Sequence, residues 1–136
     1  KLPQSYYLQD DVVAIARDMI GKKIVSVTQG KLTSGIITET EAYRGHDDKA
    51  CHAHLGRFTE RTKIMYEQGG VAYVYLCYGI HHLFNIITNS KGQADAVLIR
   101  AVEPKAGIEI MLERRGKYEL DKTLTSGPCL VYTSNH

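Results

Sequence analysis

Between Lys23 and Val102 the chain carries five runs rich in β-branched and aromatic residues: Lys23 to Thr28, Thr33 to Tyr43, Val71 to Leu76, Leu83 to Thr88 and Ala96 to Val102. Three of the joins are turn-forming: Gln29-Gly30-Lys31, Tyr78-Gly79 and Ser90-Lys91-Gly92. Short runs of this kind, broken by glycine turns, pair as neighbouring antiparallel strands. A sheet is therefore the frame into which the rest must fit.

Helical periodicity flanks these runs. Val12, Ile15, Ala16, Met19 and Ile20 recur at the spacing of one helix face, with Asp10 and Asp11 as N-cap candidates and Gly21 where a left-handed C-terminal residue belongs. Residues 1–8 read as an entry tail, with Tyr6, Tyr7 and Leu8 packing back. Pro104 marks a helix start, and Ile108, Met111 and Leu112 predict a short helix closed by Arg114, Arg115 and Gly116. The expectation is one α+β domain over residues 1–136: a mixed, largely antiparallel curved sheet with flanking helices and a protruding β-hairpin.

A chain of 136 residues is long enough for one real core and too short for two. Its apolar share of 43% and charged share of 24% are ordinary for a globular protein, and a net charge of +2 selects no partner. No apolar run approaches the roughly 20 residues that cross a bilayer, and no basic-then-apolar leader is present, so no membrane association is expected. Cys51, Cys77 and Cys129 are widely spaced and without a CxxC pair, which suggests neither a disulfide framework nor a zinc knuckle and points to a reducing, intracellular setting. Nine Tyr beside two Phe and no Trp suit a site that stacks something flat and also hydrogen-bonds it.

The densest chemistry lies between Ile36 and His52, where a β-branched run turns acidic at Glu39 and Glu41 and then presents Tyr43, Gly45 and His52. Two carboxylates two residues apart share a strand face. They are either a solvated outer face or a pair of which one acts as a general base, and spacing alone does not choose. Arg100 interrupts the apolar run Val97 to Val102. A buried arginine requires an anionic partner, and Glu41 is the candidate. Residues 44–66 lack periodicity and interleave Arg44, Lys49, Arg57, Arg61 and Lys63 with histidines and Phe58, which fits either a solvated loop or a phosphate-contacting surface. Tyr73, Tyr75 and Tyr78 are a packing ladder, or else Tyr78 is an exposed wedge of the kind that enters a base stack. His52, His54, His81 and His82 could with Glu41 make a metal-dependent hydrolase, but no helical HxxxH spacing supports it.

Taken together, Glu39-Thr40-Glu41-Ala42-Tyr43, then His52, the stretch from Gly70 through Tyr78-Gly79 to Asn85, Leu98-Ile99-Arg100-Ala101-Val102-Glu103-Pro104 and Ser126-Gly127-Pro128 closely resemble the alkyladenine (3-methyladenine) DNA glycosylase family over roughly residues 8–128. The resemblance implies a monofunctional enzyme that flips alkylated or deaminated purines from double-stranded DNA and hydrolyses the N-glycosidic bond, leaving an abasic site, without metal or cofactor. It places Glu41 on the general base and Arg100 on the residue that holds the attacking water. Tyr43 and Tyr75 fall on the aromatics that sandwich the base, His52 on its edge, Asn85 on the pocket wall and Tyr78 on the intercalating side chain. Arg44, Arg57, Arg61 and Lys63 are assigned to the DNA backbone. A monomer in a bacterial cytoplasm, rather than a eukaryotic nucleus, is the expected setting. After Pro128 the family continues for several dozen residues, whereas Cys129 to His136 departs from its pattern. The second expectation is therefore a fragment that binds lesions without catalysing.

Overall fold

The computed structural model describes residues 1–45, 62–77 and 81–115. Five strands form one sheet: β1 (Lys23–Thr28), β2 (Lys31–Tyr43), β3 (Ala72–Cys77), β4 (His81–Thr88) and β5 (Asp95–Ala106). Their order across the sheet is β1-β2-β5-β4-β3, and each neighbouring pair is antiparallel. The expected α+β architecture holds, with β3 and β4 as a hairpin along one edge.

Among the described residues, three α-helices accompany the sheet: α1 (Gln4–Tyr7), α2 (Val12–Met19) and α3 (Ile108–Arg115). The side chain of Asp11 caps α2 by accepting the Ala14 amide at 3.0 Å, and Gly21 leaves it with φ of +88°. The apolar face of α2, Val12, Ile15, Ala16 and Met19, is buried against Ile37, Val97, Ile99 and Val102. Full burial of side chains such as Ile15 and Met19 contributes about 1.5–3 kcal/mol each, so this layer anchors the helix. Tyr6 and Tyr7 pack back onto it as expected, and the Tyr6 hydroxyl donates to Asp18 Oδ2 at 2.7 Å.

The opposite face carries a second cluster: Met65 of the 3-10 turn Lys63–Tyr66 with Tyr73, Ile87, Ala94 and Ala96, and Tyr43, Ile64 and Tyr66 at its rim. β5 is thus covered on both faces, which explains why Asp95 to Ile99 are buried without alternation.

Two irregularities decide what each face presents. Ile37 pairs with Val102 and Glu39 with Ala101, so Thr38 has no register partner on β5; Thr40 pairs with Ile99, so Arg100 has none on β2. Each strand carries one inserted residue. Ile37 faces α2, and in an unbroken strand Glu39 and Glu41 would follow it there. The insertion changes the phase instead: Thr40 donates its hydroxyl to Ala16 O at 2.8 Å and Ala42 packs on the α2 layer, which leaves Glu39, Glu41 and Tyr43 on the other face.

One expectation is corrected. Pro104 does not start a helix; it lies inside β5 opposite Gly35, beside a further register shift that leaves Lys105 without a β2 partner. Irregular pairing of this kind is where a strand tolerates a residue with no amide hydrogen. The helix begins at Ile108, after Gly107 has reversed the chain with φ of +72°.

Candidate active site

β2 delivers Glu41 and Tyr43, two residues apart, to the face away from α2, and β5 delivers Arg100 beside them. Arg100 Nη1 donates to Glu41 Oε1, and the Tyr43 hydroxyl donates to Glu41 Oε2. Both oxygens of one carboxylate are therefore held, each from a different side. Arg100 Nε also lies 3.6 Å from Glu39 Oε2.

The side chains of Glu41 and Arg100 are 35% and 39% exposed, so Arg100 is not the buried arginine that its apolar neighbours suggest. As the inserted residue of β5 it leaves the packed alternation, and its guanidinium meets Glu41 and Glu39 beside an open groove. The carboxylate partner expected for it is Glu41 all the same. The hydrogen bond from Arg100 to Glu41 and the charge of Glu41, then that of Glu39, hold the guanidinium still further above its ordinary range. A half-exposed ion pair contributes only about 0–1 kcal/mol to stability, so its effect is geometric rather than structural.

An open groove of about 570 Å³ adjoins these side chains, lined by Glu39, Thr40, Glu41 and Arg100 on the sheet and by Ala16 and Arg17 on α2. β1 pairs with β2 only as far as Ile36, and this groove lies alongside the stretch beyond it. A carboxylate held at two points and open to solvent on one side can take a proton from a water molecule and favour positive charge developing nearby.

Asn85 lies on the same transverse row of the sheet as Glu41, both facing Leu98 in register. It is buried, and its Nδ2 donates to Tyr73 O at 3.3 Å and Leu83 O at 3.4 Å. Tyr73, one of the aromatic ladder, is a packed core residue. Tyr75 occupies the β3 position opposite Leu83. Arg44 is exposed directly after Tyr43, while Lys63 lines a separate groove of about 610 Å³ together with Tyr66, Glu67 and Lys91. His52, His54, Arg57, Arg61 and Tyr78 lie outside the described residues. Among the described residues no three His, Cys, Asp or Glu side chains converge as metal ligands, and no helix is long and apolar enough to cross a membrane.

The sequence reading missed Asp95. Buried at the start of β5, it accepts the Gly45 amide at 2.9 Å and Asn89 Nδ2 at 3.0 Å, and so fixes the chain where it leaves Tyr43. The signal was a charged residue at the head of an apolar strand, three residues after the glycine of a turn.

A family model described as methylpurine-DNA glycosylase matches residues 6–134. Curated relatives include proteins from Chlamydia felis, 52% identical over 128 residues, Chlamydia abortus, 50% identical over 128, and Bacillus cytotoxicus, 49% identical over 133. Each carries the name "Putative 3-methyladenine DNA glycosylase". The alignments cover 93%, 93% and 94% of this chain and 66%, 67% and 65% of the respective relatives, so the chain spans about two thirds of their length.

Proposed function

This chain belongs to the methylpurine-DNA glycosylase family, and from the site its residues build we propose that it excises alkylated or deaminated purines from duplex DNA by hydrolysing the N-glycosidic bond. The single observation that carries the reading is the Glu41 carboxylate, held by Arg100 and Tyr43 on an open face of the sheet.

In this mechanism a water oxygen bonds to C1′ as the bond from C1′ to the purine breaks, and the bonding electron pair leaves with the base. Glu41 takes the proton of the water, and its charge favours the oxocarbenium-like sugar in between. Arg100 holds the water beside the carboxylate. A cationic alkylated purine becomes neutral as it departs, whereas a neutral deaminated one takes up a proton from solvent water as the bond breaks.

Tyr43 and Tyr75 stack on the extruded base, an arrangement that favours positively charged rings. His52 hydrogen-bonds to the edge of the base, Asn85 closes the wall, and Tyr78 fills the vacated stack. Arg44, Arg57, Arg61 and Lys63 contact phosphates. Extrusion costs a few kcal/mol and is easiest for weakly paired bases, which selects lesions before any bond breaks. The protein acts as a monomer; its setting inside a bacterial cell is in keeping with its bacterial relatives.

The test is single-turnover excision from duplex DNA carrying ethenoadenine or hypoxanthine, with EDTA present. Abasic sites that form with the wild-type chain and disappear with Glu41→Gln support the reading. Turnover retained by Glu41→Gln overturns Glu41 as the base. Tight lesion binding without excision would make the chain a recognition module instead.

A further inference from the structure

The stacking role proposed for Tyr43 uses its ring and leaves its hydroxyl unexplained. That hydroxyl donates to Glu41 Oε2, while Arg100 donates to Oε1 of the same carboxylate. We infer that Tyr43 is also a positioning residue for Glu41, its hydroxyl fixing the angle at which the carboxylate meets the attacking water; this rests on the glycosylase reading above.

The geometry supports a fixed unit rather than a chance contact. A glutamate carboxylate, at the end of three rotatable bonds, keeps rotational freedom when one oxygen alone is held, and bonds to both oxygens from different strands remove that freedom. Tyr43 is itself restrained. Its ring sits at the rim of the cluster formed by Met65, Tyr73, Ile87, Ala94 and Ala96, and two residues later Asp95 holds the Gly45 amide at 2.9 Å. The clamp on Glu41 is therefore tied to β5 twice, through Arg100 and through Asp95.

The consequence is a link between recognition and hydrolysis. The ring that a flipped base stacks on and the carboxylate that activates water form one hydrogen-bonded unit. A ligand that seats poorly on Tyr43 displaces the hydroxyl and with it the aim of Glu41. Discrimination between bases then enters the chemical step as well as binding.

Tyr43→Phe isolates the hydroxyl, because phenylalanine stacks as tyrosine does. The single-turnover excision rate with saturating Tyr43→Phe should fall about tenfold, the scale of one hydrogen bond to a charged group. The dissociation constant for lesion duplex should stay within about twofold. A wild-type rate, or rate and affinity lost together, would overturn the inference.

A second measurement does not depend on turnover: thermal unfolding of wild type, Tyr43→Phe, Glu41→Ala and the double variant. Non-additive effects are expected for side chains in direct contact, and additive effects would overturn the inference even if excision is normal. Absence of excision by the wild-type chain, with non-additive unfolding, would overturn the glycosylase reading and leave the Tyr43–Glu41 coupling standing.

Discussion

Asp95 accepts the amide of Gly45 at 2.9 Å, joining residues fifty apart in sequence at the point where β2 ends. The approach to Gln93 and Ala94 is close. A Cβ built on Gly45 would lie 2.5 Å from Gln93 O and 2.7 Å from Ala94 O, both backbone atoms. Glycine is needed here for space rather than for an unusual dihedral.

Gly45→Ala should therefore destabilise the protein by about 1–3 kcal/mol, as overpacking against rigid backbone does. Urea unfolding measures it directly. A midpoint equal to that of wild type would show that the turn around Gln93 and Ala94 yields easily.

Arg100→Lys and Arg100→Ala should separate geometry from stability. The ion pair is half-exposed, so the loss of folding free energy on removing it should be no more than about 1 kcal/mol. The excision rate should nonetheless fall by about a hundredfold with alanine, and lysine should recover only part of it, because an ammonium cannot reach Glu41 and Glu39 through separate nitrogens of one rigid plane. Full rescue by lysine would mean that only the charge matters.

Lys63 and Lys91 line one groove on the second-cluster side of the sheet, together with Glu67. If this groove meets phosphates, Lys63→Ala and Lys91→Ala should each lower the slope of log affinity against log salt by about 1 for undamaged and damaged duplex alike. An unchanged slope for either variant would place that lysine away from the DNA.

Asp18 receives hydrogen bonds from Tyr6 and Lys22, the Tyr6 contact being the larger influence, and its carboxyl is held below the usual carboxylate range. A group with a lowered folded-state pKa stabilises the fold above its unfolded pKa of about 4 and loses that contribution as pH falls through the folded value. Asp18→Asn should thus be less stable than wild type near pH 7, with the difference shrinking below about pH 4. Thermal melts across that range measure it, and a pH-independent difference would show that the charge is not the cause.

Much of the frame was legible because it follows from local periodicity and turn chemistry. β1 matches its expected bounds, and α2 stops one residue short of Ile20. β5 was read too short because Pro104 carries a strong helix-start signal that a strand can absorb beside a register shift. Glu41, Tyr43 and Arg100 were recognised by residue type and motif, and the structure brings these three together. Their placement depends on Thr38 and Arg100 being inserted residues, and alternation in one strand holds no record of which residues its partner leaves unmatched. Asp95 was missed for a related reason: its value comes from Gly45, and no local pattern joins the two.

The insertions at Thr38 and Arg100 resemble a pair of crystal dislocations of opposite sign. On either side the ladder has the same phase, Ile37 to Val102 before and Glu41 to Leu98 after, so the lattice is whole at a distance and displaced only between. A single-codon deletion at either position would leave the other strand's insertion uncancelled and shift the ladder beyond it by one residue, with Glu41 still on its present face, three residues after Ile37 once Thr38 is gone. Deleting both together would heal the sheet and erase the site. A lineage that keeps the fold while abandoning the chemistry has that paired route open to it, and the signature would be two compensating gaps in otherwise conserved strands.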